Sequence, residues 1–280
     1  MAAPDSNLDL PAAMFRSGQN AQETTLLMDR LKNHIGLVNV QASFTEVDGL
    51  ALFEGDIVLG TSDEVRSAGT AGRSIGISGP GYRWPKGKVA YLTQEALRPL
   101  VEGAVAHWQQ RTPFKFVKRT NQKDYLSFED RGGCWSRVGR QGGPQVISLG
   151  PGCGLGSAIH EIGHALGLWH EQSRDDRDAH IEIVWENIHA QFRHNFDKHV
   201  LDGDDLGSYD YGSIMHYPAT AFSTNGQPTI RAKGGQPIGQ RNGLSKGDIA
   251  GIRLMYPDLK WSASHDAVDQ EVKVASRGTA

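Results

Sequence analysis

The chain has 280 residues, 38% of them hydrophobic, and a formal net charge of −3. That is enough apolar content for a real core and too little positive charge for nucleic acid to be the main partner. No run of about 18 apolar residues exists to span a membrane, and Met1-Ala2-Ala3-Pro4-Asp5-Ser6 enters polar sequence without the apolar core of a signal peptide.

In chain order, residues 23–35 read as an amphipathic helix through Leu26, Leu27, Leu31 and Ile35, stopped by Gly36. Phe53-Glu54-Gly55-Asp56-Ile57 reads locally as a turn. Gly69, Gly72, Gly76, Gly79 and Gly81 then mark the best boundary. Beyond it, residues 89–92 form a strand, and Thr93 can cap a helix running to about residue 111 with Leu97, Leu100, Val101, Ala104, Val105 and Trp108 at helical period. Short strands follow at 114–117, 125–128 and 146–149. Cys134 and Cys153 flank a short segment, and free thiols or a bridge are both open for them. A helix is expected at about 157–166. Trp185, Ile188, Phe192 and Phe196 form the core stripe of another helix, and Ser245 with Asp248 offers a capping box for a last one carrying Ile249, Ile252 and Met255. After Pro257 the chain turns polar and aperiodic. Strands with one long helix first, then a second helix and an irregular half, make an α+β domain.

The chemistry is concentrated in His160-Glu161-Ile162-Gly163-His164-Ala165-Leu166-Gly167-Leu168-Trp169-His170. Residues four apart share one helix face, with β-carbons roughly 5–6 Å apart, so His160 and His164 can bind one metal. Glu161 sits beside the first ligand, where its carboxylate can reach a metal-bound water without ligating the ion. Gly167 allows the positive φ that ends a helix and brings in His170 as a third ligand. Three protein ligands and one open position describe a catalytic zinc site rather than a structural one.

This run, continued by Glu171-Gln172-Ser173-Arg174-Asp175-Asp176-Arg177-Asp178, resembles the astacin family of metzincin zinc endopeptidases, of bacterial type. Ser208-Tyr209-Asp210-Tyr211-Gly212-Ser213-Ile214-Met215-His216-Tyr217 is similar to that family's Met-turn. The resemblance implies a metzincin-like catalytic domain at residues 74–257, with a twisted sheet and two helices above the cleft and a second subdomain below. It implies that Met215 lies beneath the metal and that Tyr217 is an extra ligand that can swing to stabilise the oxyanion. By the same resemblance Phe53-Glu54-Gly55-Asp56-Ile57 is a propeptide motif, with Asp56 on the zinc in a zymogen. Residues 1–73 are then a propeptide and 258–280 a tail. Also implied are a Cys134–Cys153 disulfide, substrate lying extended near the backbone of Cys134 and Trp135, and Glu171 as partner of the new N-terminus. Ile238-Gly239-Gln240-Arg241 resembles a stretch reaching the pocket just past the scissile bond, where Arg241 would select an acidic side chain. Asp176 departs from the pattern, which has proline there.

The expected protein is therefore a monomeric zinc endopeptidase holding one Zn2+ per chain, with Glu161 as general base. It would act on proteins or peptides and be activated by another protease at Arg73 or Arg66. Its expected location is secreted or periplasmic. A catalytically dead binding module on the same fold would lack Glu161 or a histidine ligand, and none is missing. An aminopeptidase would take a distant glutamate as third ligand, whereas His170 is already supplied.

Overall fold

The computed structural model describes residues 21–30, 36–70, 75–76, 80–198, 207–262 and 265. The upstream part is a sheet, where the apolar pattern of residues 23–35 predicts a helix. Strand β1 (Gln22–Arg30) pairs antiparallel with β2 (Gly36–Val47) from Gln22 opposite Phe44 to Arg30 opposite Gly36. β3 (Leu50–Phe53) and β4 (Ile57–Thr61) extend it, and β5 (Ile75–Gly76) joins its other side parallel to β1. The reason is the partner: Val38, Val40, Ala42 and Phe44 alternate with period two, and a twelve-residue strand offers residues 22–30 a full antiparallel ladder. Leu31 and Ile35 lie outside the described residues. Helix α1 (Ser62–Thr70) follows β4 and includes Gly69, so regular structure reaches into the glycine-rich stretch.

The second sheet has the order β7-β6-β8-β10-β9, with β6 (Lys88–Thr93), β7 (Lys115–Lys118), β8 (Tyr125–Glu129) and β10 (Pro144–Leu149) mutually parallel and the short edge strand β9 (Cys134–Trp135) antiparallel. The predicted strands at 89–92, 125–128 and 146–149 fall inside these, and the one expected at 114–117 runs one residue later, at 115–118. Helix α2 (Arg98–Arg111) buries Val101, Ala104, Val105 and Trp108. Its start is set by a proline in the first turn, preceded by a short 3-10 turn at Glu95–Leu97. Thr93 caps nothing, since its hydroxyl donates to the Gln94 carbonyl. Helix α3 (Leu155–Leu166) lies against α2, and the Trp108 indole N–H donates to the Ile159 carbonyl at 3.0 Å. The fold is α+β, as the element order indicates.

The residue 185–196 stripe is not one helix. It is two 3-10 turns, Trp185–Asn187 and Ala190–Phe196, broken at Ile188, which is extended and bridged to Ser223. Phe196 and Ile188 are buried, whereas Trp185 is 39% exposed. A two-stranded sheet of β11 (Ile181–Ile183) and β12 (Ile230–Ala232) completes this irregular half. Helix α4 (Lys246–Met255) begins with the predicted capping box: the Ser245 hydroxyl accepts from Asp248 N–H, and the Asp248 carboxylate accepts from Ser245 N–H. The expected polar tail is anchored where it starts, since Leu259 and Trp261 pack on the main core. The two parts meet over an apolar seam in which Phe53, Ile57 and Leu59 share a cluster with Val138 and Trp169, and Leu52 and Val58 pack on Trp135.

Candidate metal centre

Helix α3 is buried from Gly156 to Leu166, an unusual position for two histidines and a glutamate unless their polar atoms have a partner. It ends at Gly167, whose φ of 112° lets its N–H reach the Gly163 and His164 carbonyls. The chain then turns back and delivers His170 to the face carrying His160 and His164. The three rings come within 4.6–5.4 Å of one another, centroid to centroid.

Asp56 joins them. Its carboxylate lies 3.1 Å from His170 Nε2, 3.4 Å from His160 Nε2 and 3.7 Å from His164 Nε2. One ligand atom from each of these four buried residues falls within 4.8 Å of all the others. Nε2 of His160, Nε2 of His164 and Oδ1 of Asp56 are buried without a hydrogen-bond partner. Three imidazoles and a carboxylate converging with unspent lone pairs fit a single zinc ion in both number and type. Burial, and next the charge of Arg241, lowers the His160 pKa to about 4, and burial holds His164 well below its ordinary value, so both rings are neutral. Burial at His170 is outweighed by Asp56 and then Glu54, which raise its pKa to about 9, so a metal there must displace a proton. For Asp56 burial pushes upward, but the charge of His170, its hydrogen bond and the close approach of His160 outweigh it and keep the group ionised. Glu161 is also buried, with Oε2 unpartnered, and burial followed by the negative charge of Asp56 raises its pKa well above the carboxylate range.

The segment that resembles a Met-turn packs against α3 at Gly163. Met215 is 2% exposed, and its Sδ would lie 2.8 Å from a β-carbon at Gly163, so glycine between the two helical ligands is a packing requirement. The Ser213 hydroxyl and Ile214 N–H both donate to Asp248, the residue that also closes the α4 cap. The Ile214 carbonyl in turn accepts from His160 Nδ1 at 2.8 Å.

Residues around Asp56 lie beside the residue that follows edge strand β9. Val58 N–H donates to the Ser136 carbonyl at 2.8 Å and Ser136 N–H to the Asp56 carbonyl at 2.9 Å, a parallel bridge immediately after Cys134 and Trp135. Cys134 is disulfide-bonded to Cys153, which fixes the edge strand. Tyr217 is fully buried, and its hydroxyl donates to the Glu54 carbonyl. Glu54 is the residue that sequence reasoning passed over: it is fully buried and its carboxylate meets both His170 Nδ1 and the Ser173 hydroxyl. The only local signal was an acidic residue beside Gly-Asp.

Arg241 is held by its Nη1, which donates to the carbonyls of Ile214, His216 and Gln240, while its buried Nε and Nη2 have no partner. Burial lowers its pKa, and the charges of Asp56 and then Glu161 act against that. Glu171 accepts from Asp210 N–H at 2.7 Å, and burial raises its pKa to about 8 against the pull of Arg174. Asp176, the departure from the family pattern, is used: it pairs with Arg174 through two bonds of 2.9 and 2.8 Å.

A model of the Astacin family (Peptidase family M12A) matches residues 76–257. The chain is 43% identical over 182 residues to Zinc metalloproteinase nas-15 of Caenorhabditis elegans, covering 62% of this chain and 32% of that protein. It is 44% identical over 162 residues to High choriolytic enzyme 1 of Oryzias latipes, covering 56% and 59%. The chain spans less than two thirds of either curated relative. The solved structure of High choriolytic enzyme 1, described as a hatching enzyme zinc-protease, is similar at a TM-score of 0.59 and 39% identity, over 64% of this chain and 94% of that one. The family match runs from β5 past the end of α4 and takes in His160, His164 and His170 together with the turn at Met215, and the chain belongs to the astacin family, peptidase family M12A.

Proposed function

We propose that this chain is a zinc endopeptidase made as a latent precursor, with residues 1–73 as propeptide, 74–257 as the peptidase and 258–280 as a tail. The observation that carries the reading is Asp56 reaching the ring nitrogens of all three histidines from the upstream sheet. Zinc bound there supplies Lewis-acid polarisation and an activated water at neutral pH. Glu161 accepts a proton on its carboxylate and passes it to the leaving amine. Tyr217, freed from the Glu54 carbonyl, turns its phenol to the developing oxyanion. The edge now taken by residues 56–58 becomes available to an extended substrate beside Cys134 and Trp135. Of the two candidate activation sites, Arg66 lies in α1 and is tied to Glu46 and Gln22, which leaves Arg73 as the better one. Arg73 itself lies outside the described residues. The disulfide agrees with a secreted or periplasmic location, and no described helix is long and apolar enough to cross a membrane.

The test is incubation of an unstructured protein with full-length and processed chain, with and without a chelator, followed by mass spectrometry of the fragments. Chelator-sensitive internal cuts by the processed form support the endopeptidase. Terminal trimming supports an aminopeptidase, and intact substrate a binding module.

The same fragments read out Arg241. Its unpartnered nitrogens favour an acidic side chain just past the scissile bond, worth about 1.5–3 kcal/mol for a charge-assisted bond, so aspartate or glutamate should be enriched there by about 10- to 100-fold. Arg241→Ala should erase that preference. It should also slow neutral peptides, by a smaller factor, because Arg241 and His160 share the Ile214 carbonyl. An unchanged profile would make Arg241 purely structural.

Glu171 gives a pH signature. Its folded pKa lies above the ordinary value of 4.5, at about 8, so between these values the folded precursor binds more protons than the unfolded chain. Precursor stability should therefore fall as pH rises from 4.5 to 8, and Glu171→Gln should flatten that fall. After processing, an ammonium partner for Glu171 reverses the sign, and the same substitution should cost about 3–5 kcal/mol. Melting temperatures of both forms across this range decide it; identical pH profiles for wild type and Glu171→Gln would refute the assignment.

A further inference from the structure

The ring nitrogens that face away from the shared centre set one histidine apart. His160 Nδ1 bonds the Ile214 carbonyl and His164 Nδ1 bonds the Leu168 carbonyl, each at 2.8 Å, and both acceptors are backbone atoms of the peptidase body. His170 Nδ1 instead meets Glu54 Oε2 at 2.7 Å, a side chain from the turn between β3 and β4 of the upstream sheet. The other Glu54 oxygen accepts from the Ser173 hydroxyl. The turn is built for this: Glu54 has a φ of 48° and Gly55 one of 78°, which carries Glu54 to one nitrogen of the His170 ring and Asp56 to the other. A non-glycine residue in the left-handed region costs about 1–2 kcal/mol, and a fully buried carboxylate costs more unless its oxygens are bonded. Among the described residues, the hydrogen bonds that offset the buried carboxylate come from His170 and Ser173.

We propose that Glu54 is a positioning residue for the metal site, supplied to the third ligand by the upstream segment. This rests on reading that segment as a propeptide with Asp56 at the zinc position. A carboxylate accepting the Nδ1 proton fixes the tautomer, turns the lone pair of Nε2 toward the metal and raises its basicity. The two carboxylates then divide the work: Asp56 fills the position needed for catalysis, while Glu54 orients His170 for zinc capture. The precursor loads zinc through a ligand that the processed enzyme must hold by other means.

The experiment uses the full-length chain carrying Glu161→Gln, so that it cannot process itself. Zinc affinity is measured by competition with a chromophoric chelator, and the His170 Nδ1–H resonance by NMR on 15N-histidine-labelled protein. Glu54→Ala should weaken zinc binding about 10- to 100-fold and remove the downfield resonance of that proton. Glu54→Gln, whose amide oxygen still accepts, should lose less, and Ser173→Ala only a few-fold. A folded Glu54→Ala protein with affinity within twofold of its parent and an unmoved resonance overturns the proposal. Should that variant not fold, parent-like values in both Glu54→Gln and Ser173→Ala overturn it equally. Latency is scored separately, by the activity of Asp56→Ala in a chain with Glu161 intact. An inactive Asp56→Ala chain alongside a zinc loss in Glu54→Ala removes the latency reading and leaves the positioning role standing. An active Asp56→Ala chain without that zinc loss does the reverse.

Discussion

Glu161→Ala in the processed enzyme is expected to lower peptide hydrolysis by at least about 10²- to 10⁴-fold, the usual contribution of a positioned general base, while zinc content stays at one per chain. Glu161 projects from the same helix as His160 and His164 but is absent from the four-residue group whose ligand atoms converge. One of its oxygens is buried and unpartnered, ready to accept a proton rather than to complete the ligand set. Alanine at His160, His164 or His170 should behave differently, costing metal and activity together. Zinc analysis of the purified variants beside their turnover numbers separates the two classes. Loss of zinc from Glu161→Ala would move that residue among the ligands.

The second large effect is expected in the full-length chain, where Asp56→Ala should raise activity at least about tenfold. A tethered carboxylate competes at an effective concentration in the millimolar range, and alanine removes it. Activity should still fall short of the processed enzyme, because Ser136 N–H bonds the backbone carbonyl at position 56 and Tyr217 bonds that of Glu54, and neither contact needs the Asp56 side chain. Initial rates on a quenched peptide, before and after cleavage at the linker, measure both steps. Equal activity in wild-type and variant precursors would reduce Asp56 to a turn residue.

Features readable from the residues alone are those whose geometry closes within a few positions. The four-residue spacing of His160 and His164, the helix end at Gly167 and the Ser245–Asp248 capping box all obey local rules, and the structure reproduces each. The roles of Met215, Tyr217, Asp56 and the Cys134–Cys153 bridge came from motif resemblance, since nothing in their spacing compels them. Leu26 and Leu27 suit a helix as well as a strand, and the choice fell to pairing with β2. The 185–196 stripe has helical period, yet Ile188 is drawn into a bridge with Ser223. Glu54 is the clearest case. Its contact with His170 spans 116 residues, and no local pattern reports where a side chain will meet one so distant. The sequence by itself determined which residues can ligate, abstract a proton and end a helix, because those properties belong to side chains and their near neighbours. Tertiary structure alone decided which carboxylates reach the histidines, because burial and long-range strand pairing set that placement.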